Sequence, residues 1–98
     1  MNKSILIGRL TRDPDVRYSQ NGMAVARYTI AVDRYKSDEA DFIPCIAFGK
    51  TAEAAEKYLS KGSRVAVVGR IQTGSYTNKD GQKVYTTDVV IENQEFIE

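Results

Sequence analysis

Histidine and tryptophan are absent from this chain, and cysteine occurs once, at Cys45. A lone cysteine rules out an intramolecular disulfide. Without a histidine beside it, cysteine–histidine catalysis and thiolate–imidazole zinc sites are excluded as well. No apolar run approaches the roughly 18 residues of a membrane-spanning helix. The opening Met1-Asn2-Lys3-Ser4 leads into a patch shorter than the about 7–15 residues of a signal-peptide core, with no cleavage site after it. The chain therefore reads as cytosolic, with no membrane partner. Internal repeats and low-complexity segments are missing. So is bulk basicity: 14 Lys and Arg stand against 13 Asp and Glu, for a net charge of +1. A nucleic-acid site would have to arise from the sorting of charges along the chain.

That sorting is visible. Asp38, Glu39 and Asp41 form one acidic cluster, and Glu92, Glu95 and Glu98 form another. Between residues 61 and 79 lie Lys61, Arg64, Arg70 and Lys79, with no acidic residue among them. The length of 98 residues, with 42% hydrophobic and 28% charged content, suits one soluble domain over residues 1–98 with a modest core.

The central stretch is Phe42-Ile43-Pro44-Cys45-Ile46-Ala47-Phe48-Gly49-Lys50, which runs into the helix-forming Thr51-Ala52-Glu53-Ala54-Ala55. On a strand, Phe42 and Phe48 point the same way, about 20 Å apart at roughly 3.3 Å per residue. Pro44 and Ile46 share their face, and Ile43, Cys45 and Ala47 face a core. Two rings at the ends of one face suit either a stacking platform for unpaired bases or ordinary packing. Pro44 has no N–H for a sheet ladder, so the strand is expected to be an edge or bulged there.

Around this stretch the chain reads as extended segments. Residues 4–10 are apolar, with Gly8 marking a bulge or tight bend. Asp13-Pro14-Asp15 is a turn, Val16–Ser19 a short strand, and Asn21-Gly22 a hairpin signal. Met23–Arg34 alternates, with Ala26, Tyr28, Ile30 and Val32 inward and Arg27, Thr29, Ala31 and Asp33 outward. After the central strand, Thr51 is expected to cap a helix that stops at Gly62. Arg64–Thr73 is the next strand, with Val65, Val67 and Ile71 in the core and Arg70, Gln72 and Tyr76 on the opposite face. Asp80-Gly81 turns the chain into Val84–Ile91, and Gln94–Ile97 adds a short extended piece. The order predicts an all-β fold: a five-stranded OB-fold Greek-key barrel, antiparallel, with one short helix between strands 3 and 4.

These residues also carry a resemblance. Asn2-Lys3, Ile5-Leu6-Ile7-Gly8-Arg9-Leu10, Asp13-Pro14-Asp15-Val16-Arg17-Tyr18, Asn21-Gly22 and Ala24-Val25-Ala26 are followed by Ala47-Phe48-Gly49-Lys50-Thr51-Ala52-Glu53, Tyr58-Leu59-Ser60-Lys61-Gly62-Ser63, Val68-Gly69-Arg70-Ile71-Gln72-Thr73 and Tyr85-Thr86-Thr87-Asp88-Val89. In that order, over nearly the whole chain, they resemble the bacterial-type single-stranded DNA-binding proteins, homotetramers also found in phages and plasmids. The resemblance implies sequence-tolerant binding and protection of single-stranded DNA during replication, recombination and repair, in a cytoplasmic, nucleoid-associated setting. It places base-stacking aromatics at Phe42, Phe48 and Tyr76, with Tyr35 near a further one. It implies phosphate contacts at Lys50, Lys61, Arg70, Arg34, Lys36, Lys3 and Arg9, although the first strand could serve a subunit interface instead.

The chain departs from the family where tryptophan is common, so Phe and Tyr must supply the π-faces. Pro44 stands where a polar or basic residue is usual. The family's acidic tail does not follow Glu98. On that reading tail-dependent protein partners are not expected, or the chain is a piece of a longer protein. Two other readings stay open: a primosome-type dimer that binds single strands and a helicase, and an OB-like module that binds protein only. No catalytic residues, metal or cofactor are expected. Asp13 and Asp15 read as turn chemistry, since neither a nucleophile nor a histidine accompanies them.

Overall fold

The alternating segments fold as six strands and one helix in a computed structural model that describes residues 1–97. The order is β1 (Ser4–Leu10), β2 (Asp15–Tyr18), β3 (Ala24–Asp33), β4 (Ala40–Phe48), α1 (Gly49–Tyr58), β5 (Arg64–Thr77) and β6 (Lys83–Ile97). Neighbours in the sheet run β1-β5-β6-β4-β3-β2, and a further β1–β3 pairing brings the first strand of that order back to the fifth. β1, β5, β6, β4 and β3 therefore close into the five-stranded OB barrel, and β2 extends β3 outside it. The helix falls between the third and fourth barrel strands, as expected.

Closure corrects one expectation. The barrel is not wholly antiparallel, because β4 and β6 run parallel where Cys45 pairs with Val89 and Ile46 with Val90. Sequence order hides this, since the two strands are joined through the helix and β5.

Two glycines let backbones approach at the seams. At Gly8, β1 leaves β5 for β3, and a side chain there would put Cβ 2.6 Å from the Ala31 carbonyl oxygen. The register of β1 on β5 is regular through Gly8, so the residue marks a close approach rather than a bulge. The irregularity lies instead opposite Val68 and Gly69, whose partners are Asn93 and Ile91, leaving Glu92 unpaired.

The interior follows the expected alternation on β3, with Ala26, Tyr28 and Ile30 buried. Val65 and Val67 join them from β5, as do Ala52, Ala55 and Leu59 from α1 and the turn after it. Ile71 does not, being 46% exposed. β5 keeps its alternation past Gly69, but from there the β5–β6 hairpin projects beyond the barrel, and β5 reaches Thr77 rather than Thr73. The segment 94–97 is the end of β6 and not a separate piece.

The helix also starts earlier than expected. The chain passes from Phe48 straight into α1 with no side-chain cap, so Thr51 lies inside the first turn. It ends at Tyr58 with Leu59 as C-cap, before Gly62, which belongs to the following turn. Gln94 ties this end of the barrel together, accepting from the Tyr28 hydroxyl at 2.7 Å and donating to the Thr51 carbonyl at 2.7 Å.

Burial sets a pH dependence. Desolvation, helped by the Asp88 charge, pushes the Cys45 thiol from 9.0 up to about 12. Burial likewise raises the Tyr28 phenol well above its ordinary 10.0. Both acids stay protonated in the folded chain while the unfolded chain ionises at the ordinary values, so their stabilisation is whole below those values and is lost as pH rises toward the folded ones. The melting temperature is expected to hold to about pH 8 and to fall steadily above about pH 9. Thermal denaturation across pH 7–11 checks this, and a flat profile there would contradict it.

Candidate nucleic-acid interface

The outward faces of the strands meet in continuous rows. On β3 and β4, Val25 stands opposite Phe48, Arg27 opposite Ile46, Thr29 opposite Pro44 and Ala31 opposite Phe42. The register is unbroken from Val25 to Asp33, so no bulge accompanies Pro44. The edge reading is the right one: β4's pairing with β6 begins only at Cys45, and the side of Pro44 away from β3 is open.

The row through Ile46 crosses five strands. Asp15 of β2 pairs with Arg27 of β3, Arg27 with Ile46, Ile46 with Val90 of β6, and Val90 with Arg70 of β5. At about 4.8 Å between strands, Arg70 lies roughly 10 Å from the line joining the two phenylalanines. Gln72 opposite Asp88, Gly74 opposite Thr86 and Tyr76 opposite Val84 carry the same face out along the arm, toward the Phe42 end. Phe42, Phe48, Arg70 and Tyr76, expected together from the sequence, thus share one side of the sheet. The rings are available: Phe42 is 65%, Tyr76 57% and Phe48 44% exposed. Phe42 faces the small Ala31, which leaves its ring uncovered on that side. Ile46, between the rings, is buried under the same face.

The expected cations divide into two groups. Lys50, one residue into α1, and Lys61, in the turn after it, make no ion pair among the described residues. The Lys61 backbone N–H donates to Asp13 Oδ1 at 2.8 Å, tying that turn to the loop beside the sheet face. Arg70 donates to Gln72 Oε1 at 2.6 Å on its own face. Arg9 donates to the Gly62 carbonyl at 2.9 Å and stands in the row Arg64–Arg9–Ala31–Phe42.

Other cations are already engaged. Lys3 pairs with Glu92 at 2.7 Å, at the β6 bulge. Arg34 holds Glu39 at 2.7 Å and Asp41 at 2.8 Å. The hydrogen bond from Arg34 holds the Asp41 carboxyl below its usual value, and Asp41, ahead of Glu39, raises that of Arg34. This clamp closes the β3–β4 loop at its base. At the loop tip, Tyr35 is 88% exposed, Lys36 has the left-handed φ of 52°, and the Lys36 ammonium sits 5.5 Å from the Tyr35 ring. The structure thus puts Tyr35 and Lys36 on an exposed loop beyond the regular face.

Three features of the face were missed from the sequence. Arg27 was placed outward but not joined to the aromatics, because only the β3–β4 register sets it beside Ile46. Arg12 and Asp88 are the others. With Arg27, Phe42 and Pro44 they line a cleft of about 610 Å³ between the β1–β2 loop and the sheet. Asn2 is a further surprise. Its side chain accepts from the Ile71 N–H at 2.9 Å and donates to the Ile71 carbonyl at 2.8 Å, continuing the β1–β5 ladder and fixing β5 next to Arg70.

The face can stack flat rings on aromatics and neutralise anions from its rim. No cluster of His, Cys, Asp and Glu suited to a metal ion occurs among the described residues. No described helix is long and apolar enough to cross a membrane.

Comparison with known proteins bears on this geometry. The family model described as the single-strand binding protein family matches residues 1–97. The single-stranded DNA-binding protein of Clostridium perfringens (strain 13 / Type A) is 58% identical over 100 residues, covering 100% of this chain and 67% of that protein. The single-stranded DNA-binding protein 1 of Staphylococcus aureus (strain MSSA476) is 52% identical over 103 residues, covering 100% and 66%. The single-stranded DNA-binding protein of Halalkalibacterium halodurans is 50% identical over 103 residues, covering 100% and 61%. The chain spans about two thirds of the length of these relatives.

Proposed function

Because the chain belongs to the single-strand binding protein family, we propose that it binds and protects single-stranded DNA, with little regard to sequence, during replication, recombination and repair. The observation that carries this reading is the shared face of Phe42, Phe48 and Tyr76 with Arg70 among them. Phe42, Phe48 and Tyr76, with Tyr35 on the adjoining loop, stack bases. Lys50, Lys61 and Arg70 neutralise phosphates, and Arg27 joins them. Lys36 and Arg9 reach the strand at the margins of the face, while Lys3 and Arg34 must first give up their carboxylate partners. Stacking contributes roughly 1–3 kcal/mol per base for any base, and duplex DNA hides those base faces.

The assembly we infer is a homotetramer. Its support is an apolar patch on the outside of β1, where Ile5 is 72% and Ile7 48% exposed on a strand otherwise committed to the barrel. Isolated exposed isoleucines are common, but two on one strand face suit subunit contact. Burial there would keep Arg9 close to a subunit boundary. A cytoplasmic, nucleoid-associated location follows from this function.

Titration with oligo(dT) and with duplex DNA at rising salt, followed by tyrosine fluorescence, tests the reading. Oligo(dT) is expected to bind preferentially. With Lys50, Lys61, Arg70 and Arg27 each neutralising one phosphate, log K should fall with log salt at a slope of about −3 per protomer. Equal binding of duplex, or affinity indifferent to salt, would overturn it. Native mass spectrometry of the same sample is expected to show four copies, and a monomer would refute the assembly.

A further inference from the structure

Asp88 is out of place on a face that attracts phosphates. It projects from β6 on the same side as Arg70 and Tyr76, opposite Gln72, and lines the cleft with Phe42 and Pro44. It is half-buried and makes no ion pair among the described residues. The other carboxylates of the cleft are occupied: Asp15 lies 3.5 Å from Arg17, and Asp13 accepts from the Lys61 backbone. An unpaired carboxylate amid an anion-binding surface weakens phosphate contact through repulsion. Its chemistry suits the edge of a base instead.

Resting on the DNA-binding reading above, we propose that Asp88 makes this cleft a guanine-preferring subsite. A carboxylate offers two acceptor oxygens and no donor. Guanine presents two adjacent donors on its Watson–Crick edge, N1–H and the N2 amino group, which match both oxygens. Its O6 acceptor lies on the same side of the ring, suited to a guanidinium, and Arg12 lines the same cleft. Thymine has only N3–H, flanked by two carbonyls that the carboxylate repels. Cytosine and adenine each offer one amino group beside a ring-nitrogen acceptor. The Phe42 ring supplies a stacking wall, and the cleft of about 610 Å³ has room for a purine. The rest of the face, built of rings and cations, stays indifferent to sequence, so the preference belongs to one position along the bound strand.

A ten-residue oligo(dT), with one thymine replaced in turn by guanine, adenine or cytosine at successive positions, tests this. Guanine at one position is expected to raise affinity about fivefold or more over thymine, and adenine and cytosine less. Asp88→Asn exchanges one acceptor for a donor, and should abolish the guanine peak while raising affinity for plain oligo(dT) at low salt. Equal affinity for all four bases at every position, or a guanine peak that survives Asp88→Asn, overturns the proposal. The wild-type scan stands without the variant, should the variant fold poorly. If plain oligo(dT) itself fails to bind, the DNA-binding reading falls, and the guanine subsite with it.

Discussion

Replacing Phe42 and Phe48 together by alanine is expected to lower the affinity for oligo(dT) by at least about thirtyfold. Each ring that stacks a base contributes roughly 1–3 kcal/mol, so the pair contributes about 2–6 kcal/mol where both act. The fold is expected to survive the change. Neither ring belongs to the buried core, and Phe42 and Phe48 keep 65% and 44% of their surface exposed. Phe48 precedes α1 but makes no side-chain capping bond, so alanine there removes no hydrogen bond from the helix start. The double variant should therefore melt within a few degrees of wild type while binding weakly. The salt dependence discriminates further. Lys50, Lys61, Arg70 and Arg27 are untouched, so the slope of log K against log salt should stay near its wild-type value as the whole line drops. Wild-type affinity in the double variant would refute stacking on this strand. A collapse of the slope would mean that the rings position the strand rather than bind its bases.

The second large effect is on stability. Gly69→Ala places a methyl group 2.2 Å from the Val90 carbonyl oxygen and 2.9 Å from Val89 Cγ1. The first of these is backbone, so a rotamer change cannot relieve it. The β5–β6 ladder would have to open at its bulge, beside the Cys45–Val89 and Ile46–Val90 pairs that close the barrel. Overpacking of this kind costs about 3 kcal/mol or more, a large share of the roughly 5–15 kcal/mol that holds a small domain folded. The melting temperature should fall by on the order of 10–20 °C. Gly74→Ala is the matched control on the same strand. There the new carbon meets only the Thr86 hydroxyl at 3.2 Å, a side chain free to turn, so the expected change is small. Both variants are compared with wild type by thermal denaturation at one protomer concentration, because assembly contributes to the apparent stability. Equal melting of the two variants would mean that the seam at Gly69 tolerates a side chain.

Much of this was legible in the chain because period-two alternation survives wherever one face is buried. β3 shows it best: Ala26, Tyr28 and Ile30 went inside and Arg27 and Asp33 outside as read. Alternation likewise placed Phe42 and Phe48 on one face of β4, and the structure leaves both rings exposed there. Alternation does not reveal which strand lies beside which. The parallel contact of β4 with β6 joins residues more than forty positions apart, and it is what brings Asp88 near Phe42 and Val90 between Ile46 and Arg70. Ile71 was misplaced because an inward-pointing residue is buried only while a barrel lies behind it, and β5 outruns the barrel. The helix start was misjudged because Thr51 has the chemistry of a cap, whereas the strand feeds directly into the helix and leaves no loop for one. Arg34 reads as an available cation in sequence, yet its two acidic partners stand only five and seven residues away.

The parallel contact between β4 and β6 also has a consequence for synthesis. Residues at Cys45 and Ile46 wait for Val89 and Val90, and β1 waits for β5, before any barrel exists. Pairings of such long separation make for slow folding. On a ribosome adding about 5–20 residues per second, the chain cannot complete its closure until nearly all of these residues have emerged. Until then the β4 edge at Cys45 and Ile46 lies bare, continuous with the open side of Pro44. The missing N–H of Pro44 removes a ladder donor from that waiting edge, and so makes it a poorer template for another chain.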